Sequence, residues 1–273
     1  VGGVGQFLPW PPETCFATDE MVVRAASTLA GGNQYLVQCE RTREGAIVDA
    51  RDTSSMRWAV LSSRARVRVA CVVQTDVARG QDEAILGTKR SFGNVPVLAH
   101  AAAWPGAERF LKDGDVVEVG QLRLHVIETP GPGTEGHLAL YEPSQGVAFV
   151  GNLLTRGGFS PPLVLSAEQH EERRKSLKRI VEVLPESCIL MPGHFGVTTM
   201  AAERRNNPDL LGIEGPPLTP LAKPRPRTMS RAWSITVVRP SPAVVPSGSR
   251  AEAQSQAAGA AAAAAGASAA AGA

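Results

Sequence analysis

Hydrophobic positions along this chain fall into short stretches with two different periods. Gln34 to Glu40 and Gly45 to Arg51, the latter carrying Ala46-Ile47-Val48, are separated by the polar run Arg41-Thr42-Arg43-Glu44-Gly45 and predict a hairpin. Thr53 to Arg66 carries Met56, Val60 and Leu61 at helical spacing, with Thr53 placed to cap it. The β-branched run Val67 to Thr75 predicts a buried strand. Gly80 to Phe92 predicts a helix, and Val95 to Ala99 a further strand. Val116 to Val119 and Leu122 to Ile127 alternate about a Gly120-Gln121 turn, a second hairpin. A third joins His137–Tyr141 to Val147–Val150. Ser166-Ala167-Glu168-Gln169 is a capping box, and Leu177, Ile180, Val181 and Leu184 line one face of the helix it opens, until Pro185. Glu186 to Met191 predicts a last strand, ending in Pro192-Gly193-His194.

The two ends differ from this middle. Residues 1–29 hold Phe7-Leu8-Pro9-Trp10-Pro11-Pro12, a proline-rich stretch expected to run extended and pack on the domain. From about Asn206 prolines recur, with Lys223, Arg225 and Arg227 among them, and residues 251–273 are almost wholly Ala, Gly, Ser and Gln. That composition predicts a disordered tail over 206–273, leaving one domain at 30–205. The chain starts at Val1, as a fragment or a processed product would.

Composition narrows the function classes. A net charge of +2 gives the whole chain no electrostatic reason to seek nucleic acid. No apolar run is long enough to span a membrane, so a soluble chain is expected. Cys15, Cys39, Cys71 and Cys188 are scattered, without a C-x-x-C pair, which argues against a zinc ribbon. There is no G-x-S-x-G, no G-x-x-x-x-G-K and no H-E-x-x-H. Asp113-Gly114-Asp115 is a plain turn, because it lacks the further oxygen donors that calcium needs.

The order of elements carries more. Strand, helix, buried strand ending at Thr75, hairpin ending in Glu128-Thr129-Pro130-Gly131, Gly136-His137-Leu138, strand ending Phe149-Val150-Gly151-Asn152, capped helix and Met191-Pro192-Gly193-His194 follow one another. Over residues 30 to 200 this resembles the metallo-β-lactamase-fold superfamily, particularly its glyoxalase II-like hydrolases. The resemblance implies an α/β (α+β) chain in a four-layer αββα sandwich, with a dinuclear metal site at the strand ends on one rim. Leu8-Pro9-Trp10-Pro11-Pro12 and the altered motif after Thr75 look like a cyanobacterial and plastid branch, implying the chloroplast, the cytoplasm being the alternative compartment.

Carried across, the family's ligand motifs are mostly broken. T-H-x-H-x-D-H becomes Thr75-Asp76-Val77-Ala78-Arg79-Gly80-Gln81, where Ala78 and Gly80 have no donor and Gln81 is a neutral one. T-P-G-H becomes Thr129-Pro130-Gly131-Pro132-Gly133, and His137 matches its second histidine, which is not usually a ligand. The bridging aspartate becomes Asn152, and only His194 matches an original ligand. A zinc site needs about four donors and a two-metal hydrolase more, with an anionic bridge. The sequence therefore predicts no metal and no other cofactor, the alternative being a single Zn or other divalent ion at Asp76, Asn152 and His194. A rim pocket of Asp76, Gln81, His137, Asn152 and His194 is expected, in a non-catalytic binding, scaffold or regulatory module. Its partner would be a small anionic metabolite, or a protein bound through the tail. The alternative is a hydrolase of thioesters, esters or phosphoesters with an atypical or mononuclear site, using Asp76 and His194 as its catalytic pair.

Overall fold

The structure is a computed structural model and describes residues 13–28, 32–51, 55–133, 135–158 and 165–218. The first sheet contains seven strands in chain order: β1 (Glu13–Ala17), β2 (Met21–Ser27), β3 (Asn33–Cys39), β4 (Glu44–Val48), β5 (Arg68–Val73), β6 (Val97–Ala99) and β7 (Arg109–Phe110). Its first four strands are antiparallel neighbours and its last four run parallel. The parallel crossovers carry α1 (Ser55–Ala65) and α2 (Asp82–Ser91). The second sheet has the order β13-β12-β11-β10-β9-β8, built from β8 (Val116–Val119), β9 (Leu122–Glu128), β10 (Leu138–Glu142), β11 (Val147–Gly151), β12 (Ile189–Pro192) and β13 (Thr198–Thr199). Between β11 and the parallel β12 lies α3 (Ala167–Val183), and α4 (Met200–Asn206) follows β13.

Side-chain alternation assigns the layers. Val23, Val37, Val48 and Val73 of the first sheet face Leu124, Leu138, Leu140, Phe149 and Met191 of the second in one buried cluster. Their in-strand neighbours turn the other way. Leu36, Ile47 and Val72 pack with Trp58 of α1 and Ile85 of α2, whereas Ala139, Val150 and Leu190 pack with Leu177, Ile180 and Val181 of α3. Central strands such as β4 and β11 therefore have two buried faces, and β11 is accordingly a near-continuous apolar run. The result is a four-layer helix–sheet–sheet–helix sandwich.

Two boundaries shift from the sequence expectation. Residues 13–27 form β1 and β2, so the sheet begins N-terminal of residue 30: Met21, Val23 and Ala25 are core residues on a strand hydrogen-bonded along the whole of β3. Nor does packing end at 205. Asn207 caps a 3-10 turn at Pro208–Leu210, Leu210 is buried against the α3 layer, and Ile213 packs on the same cluster. The motif Leu8 to Pro12, the cap at Thr53 and the tail from residue 219 lie outside the described residues. Among the described residues no helix is long and apolar enough to cross a membrane.

Candidate functional site

The carboxyl ends of β4, β5, β11 and β12 meet at one rim, and the loops leaving them bring polar side chains together. After β4 the chain turns at Asp49, whose φ of +61° lies in the left-handed region that non-glycine residues rarely adopt. Buried polar groups fix the next residues. Gln74 accepts the Ala50 amide at 2.8 Å and donates to the Ala50 carbonyl at 3.2 Å, and Gln34 accepts the Arg51 amide at 3.2 Å. The Arg51 side chain then folds inward and is only 6% exposed. Two glycines leave it room. A Cβ at Gly32 would stand 2.9 Å from Arg51 Cδ, and one at Gly193 would stand 3.1 Å from Arg51 Nη2 and 2.8 Å from Asn152 Oδ1.

Arg51 Nη2 donates to Asp76 Oδ1 at 2.8 Å and to Asp49 Oδ2 at 3.3 Å. Asn152 Nδ2 donates to the other Asp76 oxygen, so both carboxylate oxygens have partners. Asp49 accepts from the Thr75 amide at 2.8 Å and from the Thr75 hydroxyl at 2.9 Å. His137 accepts the Asn152 amide at Nε2, 3.1 Å away. Its proton therefore sits on Nδ1, 2.7 Å from Thr129 Oγ1, which fixes the neutral tautomer. A Cβ at Gly151 would come within 2.6 Å of both His137 Nε2 and Thr75 Oγ1, and that close approach explains the glycine. Asn152 Oδ1 and Arg51 Nε are buried polar atoms without a hydrogen-bond partner.

Charge and burial divide these groups. Burial pushes the Asp49 carboxyl up; Arg51 opposes that, and the neighbouring Asp76 charge adds to it. Burial would also raise Asp76, but Arg51, His137 and His194 outweigh it and hold that carboxyl below its ordinary range. Burial lowers His137 to about 4 despite the nearby Asp76 carboxylate. The flanking carboxylates keep Arg51 firmly protonated against the cost of burial. At neutral pH the centre is thus a guanidinium between two acidic side chains, beside a neutral imidazole. Among the described residues, no three His, Cys, Asp or Glu side chains are grouped to hold a metal ion.

No protein-family model matches the chain. Solved structures of like fold include the BLEG-1 B3 metallo-β-lactamase, with a TM-score of 0.61 and 20% identity, covering 70% of this chain and 100% of that one. ETHE1 from Myxococcus xanthus has a TM-score of 0.59 and 24% identity, covering 69% of this chain and 84% of its own. Among curated sequences, a hydroxyacylglutathione hydrolase from Chelativorans is 35% identical over 120 residues, 41% of this chain and 43% of that protein. The chain has the fold of the metallo-β-lactamase superfamily. An uncharacterized Aquifex aeolicus protein is 34% identical over 108 residues, 40% of this chain and 50% of its own. The chain thus spans about half the length of the curated relatives it matches.

In this metallo-β-lactamase-fold chain the structure brings together Asp76, His137 and Asn152. His194 stands close enough to act electrostatically on Asp76, with its backbone bridged to Gly32. Gln81 does not join them. Its Oε1 accepts the Ala78 amide at 3.0 Å, closing the 78–81 turn ahead of α2. Sequence reasoning missed Asp49 and Arg51. Their signal was a charged pair at the exit of a strand buried on both faces, where solvent-facing charge has no place to go.

Proposed function

We propose that this chain is a non-catalytic member of its superfamily, a binding or regulatory module built on the hydrolase sandwich. The observation that carries this reading is the Arg51 guanidinium bonded to Asp76 and Asp49 at the rim where the resemblance expects metal ions. The donors present do not fit a metal pair. Both Asp76 oxygens and His137 Nε2 already accept hydrogen bonds, and a fixed positive charge 2.8 Å from Asp76 repels a second cation. Asn152 contributes no anionic bridge, so nothing in the set helps to ionise water. The buried centre would instead keep the rim loops rigid, and the partner expected at the rim is a small anionic metabolite.

A second reading, hydrolysis of thioesters or related esters, is favoured by the hydroxyacylglutathione hydrolase names among the relatives. Under it Asp76 serves as base, His194 as acid or ligand to a single divalent ion, and Asn152 orients water. A carboxyl held low by Arg51 is a weak base, which counts against it. Turnover of a thioester panel with added Zn²⁺ or Mn²⁺ separates the two readings. The proposal expects wild type and the Asp76→Ala/His194→Ala double variant to be equally inactive. Turnover that His194→Ala abolishes would establish the hydrolase instead.

A further inference from the structure

We infer that Arg51 is a tethered counter-cation: its guanidinium does for Asp49 and Asp76 what a bound divalent ion would otherwise do. This rests on the reading above and deepens it, by naming the group that fills the centre. The Arg51 side chain is 6% exposed, and those of its partners Asp49 and Asp76 are 3% and 0% exposed. Two carboxylates this deep need a positive charge nearby, since a buried charge left without its partner is strongly destabilising. An arginine supplies that charge permanently, because guanidinium does not lose its proton in proteins. It takes two bonds from one terminal nitrogen, at 2.8 and 3.3 Å, and the remaining oxygens are held by Thr75 and Asn152.

The surroundings fit such a substitution. Gly32 and Gly193 clear the path of the side chain, so the backbone is shaped around an arginine at this position. Asn152 Oδ1, buried and without a partner, borders the space that a Cβ at Gly193 would fill, as Arg51 Nη2 does. Shortening Arg51 would leave Asp49, Asp76 and that amide oxygen about a space vacated by a cation, with His194 close to Asp76. Such an oxygen-rich set suits a hard divalent ion such as Mn²⁺. In wild type the guanidinium closes that space to metal.

Melting of the full chain tests this, with chelator and with MnCl₂ as the probe. In chelator, Arg51→Ala should lose on the order of 10 °C. Added Mn²⁺ should restore part of that loss and leave wild type unchanged. Arg51→Ala melting with wild type in chelator, or showing no response to Mn²⁺, overturns the inference; so does a wild type that Mn²⁺ stabilises. Should Arg51→Ala fail to fold, the comparison moves to Arg51→Met and Arg51→Met/Asp76→Asn, in which one stranded charge is removed. The double variant should melt above the single one, and equal or lower melting refutes the counter-cation role. These outcomes are independent of turnover, so a hydrolytically active wild type would defeat the proposed function while leaving the role of Arg51 to its own test.

Discussion

His137 shows how one buried side chain ties the rim to solution pH. Its imidazole titrates near 6.5 when unfolded and at about 4 when folded, because burial disfavours the charged form. Between those values the unfolded chain binds a proton that the folded chain does not. Stability is therefore complete above about pH 6.5 and declines as pH falls toward about 4, by an amount on the order of 3 kcal/mol. Asp76, held low, adds a further loss below the ordinary carboxylate range; Asp49, raised, works in the opposite direction as it takes up a proton. Urea unfolding at pH 7 and pH 4.5 should show a smaller pH dependence in His137→Gln than in wild type. An identical dependence in both would contradict this assignment. Arg51 belongs to the same scale and was not legible in the sequence, where an arginine closing an expected strand reads as surface. Its place is set by contacts distant along the chain, with Asp76 in the loop after β5 and with glycines at 32 and 193.

Elements were read more readily than boundaries. The capping box at Ser166 is present as the sequence predicts, with Ser166 accepting the Gln169 amide and Gln169 accepting that of Ser166. The β3–β4, β8–β9 and β10–β11 hairpins also follow their patterns, since local turn chemistry decides them. What escaped is short or non-local. β7 and β13 are two residues each, and β2 becomes a strand by pairing along β3, with β1 pairing in turn on β2. α4 and the turn after it hold because Glu203, buried, accepts from Gly157 N, Thr198 Oγ1 and Asn207 Nδ2. A chain ending at Arg205 loses Asn207 and Leu210 from this arrangement, whereas one ending at Leu218 keeps them. The shorter chain should melt several degrees lower, because a buried leucine and a satisfied buried amide are each worth about 1–3 kcal/mol. Equal melting of the two would mean that residues 206–218 add nothing to the domain.

At the scale of the whole molecule, two sheets bury a shared core and leave their strand ends to build a rim, and the chemistry of that rim is separable from the sandwich beneath it. Here the sandwich is retained while the donors at the rim are engaged with Arg51 and with one another. The metal content of the natively purified full chain, measured by elemental analysis beside its melting with and without chelator, tests this account most directly. The account predicts far less than one equivalent of zinc, iron or manganese, and a melting temperature that chelator does not change. One or more equivalents of such a metal, with melting lowered by chelator, would contradict it.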